Sequence, residues 1–124
     1  MEVDLVFCDT YALIELFGGN QKFAQLRETA FVMTFLNLLE FTYNAINNKG
    51  ETQAREWFDQ LKQNVIEPDD ETVFAAMLFR QQNKKLDLSY ADALGYVCAK
   101  RKHIPFVTGD KAFERMTGVM FIKK

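Results

Sequence analysis

Apolar positions in this chain follow two rhythms. Short, nearly continuous runs occur at residues 5–8 (LVFC), 30–33 (AFVM), 105–108 (PFVT) and 119–122 (VMFI), the pattern of buried strands. A further extended piece at 64–68 (NVIEP) is cut by Pro68. Between the runs, apolar residues recur at helical spacing over 10–17, 35–48, 51–63, 69–85 and 90–103, with shorter helices expected at 21–28 and 111–116. The punctuation agrees. Gly18, Gly19 and Asn20 stop the first helix, Thr34 and Ser89 stand as N-caps, and Asn47, Asn48 and Gly50 close the 35–48 segment. The 69–85 helix opens on acids and ends on bases, as the helix dipole favours. Trp57, Phe58 and Leu61 share a face of 51–63, and Leu36, Leu39, Tyr43 and Ile46 are expected to form the core-facing stripe of 35–48. Strand and helix alternate along the chain. That order predicts an α/β fold, a parallel sheet covered by helices on both faces. No repeat or linker composition interrupts residues 1–124, so a single domain is expected.

Composition narrows the partners. The chain is 48% hydrophobic with twelve Phe, enough for an aromatic core, and carries a formal charge of −2. A net-acidic protein is no general polyanion binder, so contact with nucleic acid requires a local basic patch. No apolar run reaches the ~18 residues of a membrane span, and the acidic start lacks the features of a secretory signal. The chain therefore reads as cytoplasmic. Cys8 and Cys98 form no metal-binding spacing and, with the lone His103, cannot complete a four-ligand zinc site; they read as reduced, buried thiols. His103, at the end of a helix, reads as a complement to the dipole.

Four carboxylates sit where a core has little use for them. Asp9 closes the first strand and Asp110 follows the 105–108 strand. In open α/β sheets ligands bind beyond the carboxyl ends of strands, so both fall on the functional edge. Each is also a good helix N-cap. Glu40 borders the expected stripe of its helix, leaning toward the helix start. Asp92 lies in the first turn after Ser89, in a capping-box spacing, with Gly95 and Ala99 on its own face allowing close approach to a neighbour. Were the four to converge, two carboxylates ~4 Å apart would repel by about 4 kcal/mol at an effective dielectric near 20. A cluster of this kind calls for protons or a cation, and all-oxygen ligation suits Mg²⁺ or Mn²⁺.

The segments VFCDTYAL, TFLNLLEF and SYADALGYVCAKRKHIPFVTGDKAF together resemble the PIN-domain family, and within it the ribonuclease toxins of the VapC type. The resemblance covers nearly the whole chain. It implies a three-layer α/β/α sandwich with a central parallel sheet of about five strands in the order 3-2-1-4-5, which sets Asp9 beside Asp110. It implies Mg²⁺ or Mn²⁺ held by Asp9, Glu40, Asp92 and Asp110, with Thr10 and Thr108 supporting the site, and hydrolysis of single-stranded RNA by metal-activated water. Lys111, beside Asp110, and Lys100 and Arg101 in the KRKH run are candidate RNA contacts. A VapC-type toxin implies a small antitoxin and a homodimer; any of Phe17, Phe23, Trp57 and Phe58 that is exposed is a candidate to line an interface, although core packing is the reading favoured for each.

Two other readings stay open on the sequence. A non-catalytic PIN module would bind RNA or protein without cleaving. A phosphoryl-accepting receiver domain shares the length and the alternation, but it needs an acid pair after the first strand, and Asp9 is preceded by Cys8. Dinucleotide, P-loop, serine-hydrolase and zincin motifs do not occur in the chain.

Overall fold

A computed structural model describes residues 4–123. The strands are β1 (Leu5–Cys8), β2 (Ala30–Val32), β3 (Phe106–Thr108) and β4 (Val119–Phe121). The helices are α1 (Thr10–Phe17), α2 (Phe35–Lys49), α3 (Glu51–Leu61), α4 (Asp70–Gln82) and α5 (Tyr90–Arg101). The segments Gln21–Glu28 and Lys111–Phe113 are 3₁₀ turns, tighter than the α-helices expected there.

All strand pairs are parallel, and the order is β2-β1-β3-β4. The fifth strand expected at 64–68 survives as one parallel bridge, Met33 to Val65, on the outer side of β2. Pro68, which has no N–H to give a ladder, follows two residues after Ile66 donates to the Met33 carbonyl at 2.8 Å. The expected order 3-2-1-4-5 thus holds, with its third strand reduced to that bridge.

One apolar cluster on one face joins Val6, Cys8, Leu13, Phe23, Leu38 and Phe41. Another on the opposite face joins Phe7, Tyr96, Ala99, Phe106 and Phe113. The strands alternate sides, so Val6 and Phe7 serve different layers. Five Phe side chains (7, 23, 41, 106 and 113) are wholly enclosed, each worth roughly 1.5–3 kcal/mol against exposure. The small face of α5 works as expected. A Cβ on Gly95 would stand 2.7 Å from the Phe7 ring and 3.2 Å from that of Phe106, so glycine lets the helix lie directly on the sheet.

Helix α2 is turned away from its expected orientation. Its buried residues are Asn37, Leu38, Phe41 and Ala45. Leu39, Tyr43 and Ile46, assigned to the core by periodicity, are 49%, 70% and 46% exposed. The helix has two apolar rows, and spacing alone cannot choose between them. Packing chooses: Phe41 meets Phe17 edge-on at 5.2 Å and lies 5.9 Å from Trp57. Of the four aromatics weighed between core and interface, Phe23 is fully enclosed, and Phe17, Trp57 and Phe58 are half-buried against the core, the reading favoured for each.

Candidate active site at the sheet edge

The strand order reverses between β1 and β3. The chain leaves β1 toward β2 and returns on the other side, which makes the carboxyl ends of these two strands the switch point where such sheets bind ligands. Asp9 stands there, 3% exposed, its N–H bonded to the Val107 carbonyl at 3.1 Å. As N-cap of α1 it accepts the Ala12 N–H at 2.8 Å. Asp110, two residues after β3, accepts the Ala112 N–H at 3.0 Å. Thr108 lies between them, fully enclosed. Its hydroxyl oxygen accepts the Asp110 N–H at 2.9 Å, and its hydroxyl also bonds Asp9. A Cβ on Gly109 would collide with the Tyr11 ring, so glycine is what admits α1 beside this turn.

Asp92 enters from α5. Its carboxylate accepts the Ser89 N–H at 3.0 Å while Ser89 Oγ accepts the Asp92 N–H at 3.0 Å, the reciprocal capping box. Capping and clustering are compatible here. A carboxylate has two oxygens, and in Asp92 and Asp110 the cap engages one of them.

The electrostatics converge on Asp9. Burial pushes its carboxyl up to about 7, the Thr108 and Ala12 bonds pull it down, and the charges of Asp92 and Asp110 push it further up. Burial, with Asp9 beside it, also drives the Cys8 thiol far above its ordinary value, which leaves that sulfur inert.

Glu40 reaches the edge differently. It is exposed and accepts the Thr10 hydroxyl at 2.7 Å through Oε1. Thr10 Oγ1 in turn accepts from Asn37 Nδ2 at 3.2 Å, and Asn37 Oδ1 accepts both the Thr34 N–H and the Thr34 hydroxyl, at 3.1 and 3.0 Å. Asn37 is 1% exposed and bonded through both its Oδ1 and its Nδ2. Sequence reasoning passed over it. The available signal was an amide three residues after the Thr34 cap and three before Glu40, hence on their side of the helix.

These acids share an edge without forming a finished cage. Among the described residues, no group of three or more His, Cys, Asp or Glu side chains is arranged to hold a metal ion as it stands. Each acid is tied to a local donor, and like charges keep their distance. The donor chemistry still fits a hard divalent cation: carboxylates only, with the central one buried and electrostatically loaded by its neighbours.

The basic candidates divide. Lys111 follows Asp110 at the edge and is exposed. Lys100 and Arg101 lie at the other end of α5, on the order of 12 Å along the helix axis from Asp92. Lys100 Nζ donates to Thr117 Oγ1 at 2.7 Å, and Arg101 and Lys102 act electrostatically on Asp69 instead. The structure therefore sets the KRKH run apart from the acids. His103 has a positive φ of 57° just past α5, where the Ile104 N–H returns to the Ala99 carbonyl at 3.1 Å; it closes the helix.

A parallel α/β sheet with acids gathered at its reversal point defines the class, and the sequence defines the family. The chain belongs to the PIN domain family, whose profile matches residues 6–119. PIN domains are generally nucleases that use divalent metals. No curated protein matches the chain by sequence. Among solved structures, a toxin–antitoxin complex from Klebsiella pneumoniae has a similar chain, with a TM-score of 0.73 and 23% identity over 93% of this chain and 95% of that one. VapBC-1 from nontypeable Haemophilus influenzae aligns with a TM-score of 0.69 at 15% identity, covering 96% and 97%. VapBC2 from Rickettsia felis, solved with a DNA fragment from its promoter, aligns with a TM-score of 0.70 at 14% identity, covering 97% and 98%. At these identities the likeness speaks for the fold. Among the described residues, no helix is long and apolar enough to cross a membrane.

Proposed function

We propose that this protein is a Mg²⁺- or Mn²⁺-dependent endoribonuclease acting on single-stranded RNA, the toxin of a VapBC-type pair. The observation that carries the reading is Asp9: a buried carboxylate at the strand reversal, acted on by the charges of both Asp92 and Asp110. Asp9, Asp92 and Asp110 would hold the ion, with Glu40 binding it directly or through water. When bound, such an ion activates water and stabilises charge on the phosphate. The chain supplies the rest. Thr108 fixes Asp9 and Asp110 relative to each other. Thr10 holds Glu40 by Oε1, which leaves Oε2 to orient a water toward the phosphodiester. Lys111 meets the RNA backbone. Water, not a side chain or the RNA 2′-hydroxyl, is the nucleophile, and expulsion of the 3′-oxygen leaves a 5′-phosphate and a 3′-hydroxyl.

The toxin reading adds a small antitoxin and a homodimer. Support comes from the toxin–antitoxin complexes among the structural neighbours and from the exposed apolar row of α2, Phe35, Leu39, Tyr43 and Ile46. A contiguous apolar surface of this kind marks a protein contact. Cleavage of defined RNAs in Mn²⁺ by wild type and by Asp92→Asn tests the enzyme. Loss of activity in the variant is expected. Equal cleavage by both, or a 2′,3′-cyclic phosphate product, refutes the mechanism.

A further inference from the structure

The acidic edge must hold a polyanion, and Lys111 alone is a thin provision for that. The second source of positive charge lies in the connection between α4 and α5. These helices run antiparallel: Asp69, before α4, feels Arg101 and Lys102 at the end of α5, while Arg80, near the end of α4, meets the start of α5. The end of α4 and the turn after it, with Lys84 and Lys85, therefore lie at the same end of α5 as Asp92. Two features there are built rather than merely exposed. Arg80 Nε donates to the Leu88 carbonyl at 2.8 Å, which fixes the guanidinium. Its Cζ stands 4.5 Å from the centroid of the Tyr90 ring. Tyr90, the first residue of α5 and two before Asp92, is nevertheless 61% exposed. One ring face is covered by a cation, and much of the rest is open to solvent.

Neither residue is explained by the core. An exposed Tyr at a helix start contributes little to folding, and among the described residues Arg80 makes no ion pair. A guanidinium pinned through Nε keeps its two terminal nitrogens as donors, the geometry suited to a phosphate. An aromatic face beside a fixed cation is what single-stranded nucleic acid binds: the base stacks and the adjoining phosphate pairs with the charge.

We propose that Tyr90 and Arg80 form a stacking platform that binds single-stranded RNA at the end of α5 that carries Asp92, with a base on Tyr90 and its phosphate on Arg80. The proposal rests on the nuclease reading and adds to it the residues that set KM. Both are positioning residues; neither touches the reacting atoms.

The test uses the full chain and short oligouridylate and oligoadenylate strands, with fluorescence anisotropy for binding and Mn²⁺-dependent cleavage for KM and kcat. Tyr90→Leu is expected to weaken binding about tenfold, and Tyr90→Phe to restore it to within about twofold of wild type, since stacking needs the ring and not the hydroxyl. Arg80→Gln is expected to lower the slope of log K against log salt by about 0.7, the loss of one phosphate contact on a single strand. In cleavage the variants raise KM and leave kcat near wild type. If Tyr90→Leu and Arg80→Gln bind and cleave as wild type does while both remain folded, the platform is wrong and the nuclease reading stands. The platform is equally wrong if Tyr90→Leu alters only self-association in sedimentation. A wild type that neither binds nor cleaves these strands removes the nuclease reading and the platform with it.

Discussion

Asp9 concentrates the tension in this molecule. Its folded carboxyl is raised to about 7 from an ordinary 3.8, chiefly by burial. A raised pKa means that the folded state binds the proton more tightly than the unfolded chain does. The associated stability is present in full below pH ~4 and is lost as pH rises through ~7. Without divalent cation, the melting temperature should therefore fall across that window, and Asp9→Asn should flatten the fall, gaining on the order of 3 kcal/mol over wild type at pH 8. A wild-type profile that is flat, or that rises with pH, would show that Asp9 is not desolvated as described. Thr10 poses a second test at this scale. Its hydroxyl anchors Glu40 and also accepts from the buried Asn37 amide, so Thr10→Val should cost about 1–3 kcal/mol by leaving that amide unpaired and cut cleavage roughly 10–100-fold, the range typical of groups that orient a metal site's ligands, while Thr10→Ser should keep both bonds and restore stability and cleavage. Unchanged cleavage would mean that Glu40 needs no anchor.

Among the elements, α5 does most to bring the acids together. Its first turn carries Asp92, its middle lies on Phe7 and Phe106, and its small face sets how close it comes. Helix propensity favours Gly95→Ala by about 1 kcal/mol. Packing opposes it, because the new methyl would stand 2.7 Å from the Phe7 ring in an enclosed core, and overpacking costs typically 1–3 kcal/mol. Net destabilisation of about 1 kcal/mol, read as a lower urea midpoint, is expected, together with a loss of cleavage as Asp92 is lifted away from Asp9. A stabilised Gly95→Ala protein would mean that the helix has room to retreat. Helix α2 carries the opposite lesson. Its core row is Leu38, Phe41 and Ala45, and the row richer in large apolar residues faces outward. Hydrophobic periodicity revealed the helix but not its rotation, because both rows are apolar. The link from Asn37 to Thr10, together with the rings of Phe17 and Trp57, decides that rotation.

For the molecule as a whole, the carboxyl edge is expected to act as a cation site linked to folding. Mn²⁺ should raise the melting temperature of wild type, by about 2.7 kcal/mol of stabilisation at a hundredfold excess over its Kd, and should have little effect on Asp9→Asn. Equal responses in the two proteins would assign the ion to another place.

The alternation of apolar runs and helical segments, the N-caps, and the stations of Asp9, Asp92 and Asp110 at strand and helix ends were legible in the chain, because they depend on local periodicity and on a few neighbouring residues. Two matters were not. The outward turn of α2 and the separation of Lys100 and Arg101 from the acids depend on contacts between residues distant in sequence. A charge run reads the same at either end of a helix, and an apolar row reads the same on either side. Only the packed structure selects among such alternatives, because burial and electrostatic energy depend on which surfaces meet, and one-dimensional order does not encode that directly.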